Sequence, residues 1–184
     1  MCNIKAEDDF NYQFDTIFGN IDKTTLSGHH SNRLRIYLGG NADNSEITDE
    51  LKDSATEILK YCFANHEIWL RIVLWSESEE ENLKRAGFDI TKALKAFRST
   101  SEENEVLFIN YKELAELLIT PVVTSIINYD MAVTPSANIT CYFISFTSKT
   151  IVNIYDDRGL DIYCLDAQQL NNIKLRFKNK VDML

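Results

Sequence analysis

The sequence predicts an α+β fold, with one mixed, mainly antiparallel β-sheet that ends in a C-terminal meander and is packed by several helices. Three observations predict it. Short alternating or fully apolar runs recur along the chain, at 33–38, 68–75, 105–111, 139–146, 150–155 and 160–165. The early ones are separated by stretches of helical periodicity, whereas the last three follow one another through short polar turns. At 184 residues and 45% hydrophobic content, the chain can fill one core, and its two prolines and six glycines leave no linker, so residues 1–184 read as one globular domain.

In order, Phe10, Phe14, Ile17 and Phe18 fall at helical spacing within 8–18, a short helix ending at Gly19. A polar loop containing His29 and His30 leads to the alternating strand Arg33 to Leu38, closed by Gly39 and Gly40. From about Ser45 to Ala64, Ile47, Leu51, Ala55, Ile58, Leu59, Cys62 and Phe63 form one apolar stripe, with Asn44 or Ser45 available as cap. Ile68 to Trp75 is nearly all apolar apart from Arg71, as expected of a strand covered on both faces. Glu79 to Ala86 reads as a helix stopped by Gly87, and Ile90 to Phe97 as a short helix or turn. Glu105 to Tyr111 is a strand.

A helix over 112–119 is expected to end before Pro121, and a second to start there, with Thr120 as cap and Val122, Ser125, Ile126 and Tyr129 facing inward. The strands 139–146, 150–155 and 160–165 make the meander. Asp166 caps a last helix through Leu170, Ile173 and Phe177 that runs into a basic tail, Lys174, Arg176, Lys178 and Lys180.

The turn Tyr155-Asp156-Asp157-Arg158-Gly159 pairs strand alternation with turn chemistry. Ile151, Asn153 and Tyr155 point to one face and Val152, Ile154 and Asp156 to the other. An Asp early in the turn accepts backbone N–H bonds, Gly159 is expected at positive φ, and Arg158 is expected to pair with Asp161 or a neighbouring strand. With Tyr142-Phe143-Ile144-Ser145-Phe146 and the last helix, this pentapeptide resembles the signature of an uncharacterised bacterial protein family, over the C-terminal third of the chain. The resemblance implies no known activity. Tyr155, Asp156, Asp157 and Arg158 are the candidates for a second, small-ligand or enzymatic site, since adjacent carboxylates and a guanidinium shift one another's pKa.

Composition narrows function further. The N-terminal residues Met1 to Phe10 lack the apolar core of a signal peptide and no run approaches a membrane span, so a cytoplasmic chain with no membrane partner is expected. The four cysteines lack C-x-x-C spacing and read as reduced, mostly buried thiols. Adjacent His29 and His30 point apart on extended backbone, and His66 has no ligand at a useful offset, so neither metal nor cofactor is expected. No nucleophile elbow or phosphate-cradling loop is present, which argues against an enzyme.

The net charge of −9 is concentrated. Residues 44–81 hold ten carboxylates and three cations, among them Glu46, Asp49, Glu50, Asp53 and Glu57 on the long helix and Glu77, Glu79, Glu80 and Glu81 after the second strand. Direct nucleic-acid binding is disfavoured by such a surface. Like charges four residues apart oppose helix formation by roughly 0.2–0.5 kcal/mol per pair, so the row works against its own helix. A solvated, solubility-promoting face is one reading of this row and a docking face the other; on the second, the function expected is a small immunity or antitoxin protein that binds a cationic toxin domain, such as a nuclease, through Glu46, Asp49, Glu50, Asp53, Glu57, Glu77, Glu79 and Glu80.

Overall fold

The computed structural model describes residues 2–19, 32–39, 45–101 and 104–181, without the side chains of residues 2–4, 45–48, 116 and 117. Its centre is a seven-stranded sheet in the order β1-β7-β6-β5-β2-β4-β3. The strands are β1 (Arg33–Tyr37), β2 (Ile68–Leu74), β3 (Lys95–Ser101), β4 (Asn104–Tyr111), β5 (Ile139–Ser145), β6 (Thr150–Ile154) and β7 (Gly159–Cys164). Every pairing among them is antiparallel, and β5, β6 and β7 form the expected meander. The helices are α1 (Cys2–Phe18), α2 (Ser45–Phe63), α3 (Glu79–Arg85), α4 (Glu116–Asp130) and α5 (Ala167–Arg176).

Strand alternation sorts the core into two layers. Ile68, Leu70, Ile72 and Leu74 of β2 join Leu51, Ile58, Leu59, Ile119, Val123 and Ile173 of α2, α4 and α5 in the larger layer. On the opposite face, Trp69 and Val73 join Phe10, Phe14 and Phe18, which stand four residues apart along α1. This second layer is aromatic: Phe10 meets Trp69 at 5.2 Å and Phe108 at 4.8 Å between ring centroids, and Phe97 stacks on Phe108 at 4.5 Å. Full burial of each such ring stabilises by about 2–3 kcal/mol, which is what fastens α1 to the sheet. Arg71, the one charge in β2, is buried between the Phe108 and Tyr142 rings, 5.9 and 5.5 Å from their centroids.

Several expectations are corrected. The first helix starts at Cys2, well before residue 8. Only Ile90–Lys92 of the segment read as a helix or turn is helical, as one 3-10 turn; Lys95 to Ser101 is one of the sheet's two edge strands, whose weak pattern reflects that Phe97 alone is buried. A single helix runs through Pro121, where two were expected. A proline there removes an N–H and crowds the preceding turn, at about 3 kcal/mol, but Ile119, Val122, Val123, Ile126 and Ile127 are all buried, and their packing outweighs the local preference. Tyr129, expected inward, is 48% exposed. His29, His30 and the proposed cap Asn44 lie outside what is described, and the other proposed cap, Ser45, is the first residue of α2, with its side chain outside what is described.

The connections set which groups share an end of the sheet. The N–H of Leu38, just past β1, donates to the Arg158 carbonyl in the β6–β7 turn. Ile139, where β5 begins, pairs with Leu74, where β2 finishes. Leu51 packs against Gly39, so the first turns of α2 lie at this same end. At the β1 edge, the Tyr37 N–H donates to the Lys180 carbonyl and Ile36 bridges Val181, so the tail partly covers it.

Candidate functional site

The acidic residues of α2 divide cleanly from its apolar ones. Leu51, Ala55, Ile58, Leu59, Cys62 and Phe63 are buried, while Asp49, Glu50, Asp53 and Glu57 are exposed on the opposite face. The Asp49 side chain, 87% exposed, meets Lys52 at 3.3 Å. Glu57 takes a 3.1 Å bond from Arg176 at the end of α5, and Lys180 Nζ donates to Ser54 Oγ. The basic tail thus reaches α2 as well as closing its own helix. Glu50 and Asp53 have no ion pair among the described residues, and the side chain of Glu46 lies outside them.

The glutamates after β2 do not form a second free row. Glu79 is buried and accepts from Ser76 Oγ at 3.1 Å, Asn82 Nδ2 at 3.0 Å and the Asn138 N–H at 2.9 Å, tying α3 to the start of β5. Burial works to raise the Glu80 carboxyl, but bonds from Arg98 at 2.7 Å and Lys84 at 3.1 Å outweigh it and hold it below the ordinary glutamate value. Arg98 also clamps Glu105. Glu81 stands 4.0 Å from Arg85. Only Glu77 of the set is exposed without an ion pair among the described residues.

The β6–β7 turn is closed mainly by Asp156. Its buried carboxylate accepts from the Arg158 N–H at 2.8 Å, the Gly159 N–H at 3.2 Å and Arg158 Nε at 2.7 Å, with a further bond from Arg158 Nη2. Arg158 therefore closes on Asp156, and Asp161 is taken instead by Arg33 and by Arg35 at 3.0 Å. Gly159 is not at positive φ. Its need is space: a Cβ there would lie 2.7 Å from the Ile36 carbonyl oxygen and collide with the Tyr155 hydroxyl. The Tyr155 ring in turn carries the Arg35 guanidinium, 5.2 Å from its centroid. Burial, working against Arg35, pushes the Tyr155 hydroxyl pKa up.

Sequence spacing did not bring Asp130 to this turn, because it comes from the far end of α4. Its Oδ2 accepts the Asp157 N–H at 3.3 Å, and ligand atoms of Asp130, Asp156 and Asp157 lie within 4.8 Å of one another. Desolvation raises the Asp130 and Asp157 carboxyls, and the Asp156 charge adds to it. The cluster is built to close a turn, with Asp156 already filled by donors.

Two grooves stand apart from that turn. One, of about 430 Å³, is lined by Trp75, Glu77, Arg98, Ser99 and Glu105 among others; the other, of about 440 Å³, by His66, Ser148, Lys149, Asp166 and Gln169. The sequence marks Trp75 only as the end of a strand, because nothing in an apolar run shows which residue emerges from the sheet.

No helix among the described residues is long and apolar enough to cross a membrane, and Cys62, Cys141 and Cys164 are free and buried. Residues 10–182, nearly the whole chain, match the family described as Domain of unknown function (DUF3885), and the chain belongs to that family. Neither curated proteins nor solved structures gave a match.

Proposed function

We propose that this member of the family is a cytoplasmic protein-binding inhibitor of the immunity or antitoxin kind, docking a cationic toxin domain against the outer face of α2. One observation carries the reading: Glu50 and Asp53 stand in solvent beside Asp49 without an ion pair among the described residues, on a helix whose inner face is locked into the core. Such a row speeds encounter with a positive surface and can take the place of phosphates on a nuclease. Reduced, buried thiols agree with a cytoplasmic setting. The docking set is smaller than the sequence implied, since Glu57, Glu79 and Glu80 are engaged within the fold. The alternative, a small-ligand or enzymatic site at the Tyr155–Gly159 hairpin, is weaker because Asp156 and Arg158 are spent on each other.

The test is affinity purification of the tagged chain from its host, with mass-spectrometric identification of the partner. A basic domain is expected, whose affinity falls about tenfold or more between roughly 50 and 300 mM salt and which the triple variant Asp49→Lys, Glu50→Lys, Asp53→Lys no longer retains. A partner held equally well by that variant overturns the reading.

A further inference from the structure

The groove beside Trp75 has a composition that the α2 face lacks. Of the two tryptophans in the chain, Trp69 is 2% exposed and Trp75 is 51% exposed. Trp75 is also held in place. Its Nε1 donates to Thr140 Oγ1 at 3.1 Å, and its backbone N–H reaches the Asn138 carbonyl at 3.4 Å. With the polar edge of the indole satisfied, the ring face is what remains to contact a partner.

Charge decides what that partner is. Glu77 is exposed on the groove wall and makes no ion pair among the described residues, whereas Glu105, also on the wall, is held by Arg98. The one cation among the described residues of the wall, Arg98, is shared between Glu80 and Glu105, so two carboxylates cancel its attraction for an anion. An electron-rich ring face that shares a groove with the unpaired Glu77 carboxylate selects a cation, and a flat guanidinium can stack on indole while its edge donates to a carboxylate, which a compact ammonium does less well.

We propose that this groove is a socket for an arginine side chain of the cationic partner, an inference that rests on the docking reading above. Trp75 follows the end of β2, at the same end of the sheet as the first turns of α2, and its indole, bonded to Thr140, lies on the face opposite α2, so the partner meets both by spanning that end. An anchored tryptophan receiving an arginine is the kind of contact that dominates binding energy within an otherwise charged interface.

The test uses a defined probe, the peptide acetyl-Gly-Arg-Gly-amide, titrated into the ¹⁵N-labelled chain while the two indole N–H resonances are followed. The Trp75 resonance is expected to move saturably and that of Trp69 to stay fixed, with the lysine counterpart binding several-fold more weakly and the all-glycine peptide not at all. Glu77→Gln, a change at an exposed residue that leaves the fold alone, is expected to weaken the arginine peptide about three- to tenfold. A Trp75 resonance that the arginine peptide leaves unmoved, an equal response to the glycine peptide, or an unchanged affinity in Glu77→Gln each overturns the socket. The α2 triple variant separates the two ideas. If it still captures the native partner while the peptide titrates Trp75, the α2 reading fails and the socket stands; if it loses the partner while the peptide leaves Trp75 unmoved, the socket fails and the α2 reading stands.

Discussion

At the scale of single residues, the Tyr155–Gly159 turn shows how one carboxylate can define a loop. Asp156 collects two backbone N–H groups and the Arg158 guanidinium, and Gly159 is required by the Ile36 carbonyl and Tyr155 pressing on it. The same crowding strains its neighbours electrostatically. Desolvation and the Asp156 charge raise the pKa of both Asp130 and Asp157, so in this region the folded chain binds protons more tightly than the unfolded one. Their contribution therefore favours the native state below the ordinary aspartate pKa and is lost as pH rises through the raised folded values. Asp130→Asn keeps an oxygen for the Asp157 N–H and removes the charge. It is expected to stabilise the protein by about 0.5 kcal/mol at neutral pH, a gain that fades to nothing below about pH 3.5, in urea unfolding measured across pH. Loss of stability at pH 7 would mean that the Asp130 charge is needed by the turn.

At the scale of elements, what the sequence made legible followed from periodicity and caps. The stripe of α2, the meander of β5 to β7 and the Asp166 cap are all present, with Asp166 Oδ1 accepting the Gln168 and Gln169 N–H groups at 2.8 and 3.0 Å. Asp166→Ala is expected to lower unfolding free energy by about 1 kcal/mol and to quicken amide exchange in the first turn of α5; an unchanged midpoint would show that the tail contacts at Ser54 and Glu57 hold the helix alone. Elements that depend on tertiary surroundings were illegible. Strand β3 is mostly polar because it forms an edge, and α4 continues through Pro121 because both flanks of the proline are buried. The candidate site divides in the same way. Outward-facing Asp49, Glu50, Asp53 and Glu57 could be read from helical spacing, whereas the inward turn of Glu79, the capture of Glu80 by Arg98 and the arrival of Asp130 at the hairpin are long-range facts that spacing does not encode.

At the scale of the whole molecule, acids of two energetic kinds are found toward one end of the sheet. Glu79 and Asp156 are buried and bonded to several donors, so they stabilise the fold; Asp53 is exposed and faces Asp49, Glu50 and Glu57 three or four residues away, so it works against the fold. Paired substitutions expose the difference. Glu79→Ala leaves three donors without their acceptor and is expected to cost about 2 kcal/mol. Asp53→Lys turns three like-charge neighbours into opposite-charge ones and is expected to raise unfolding free energy by about 0.5–1 kcal/mol while weakening capture of the cationic partner. A residue whose reversal stabilises the isolated chain and impairs binding is kept for the partner rather than for the fold. If Asp53→Lys instead lowers stability in the same urea series, α2 carries its charges for internal reasons, and the docking face loses its physical basis.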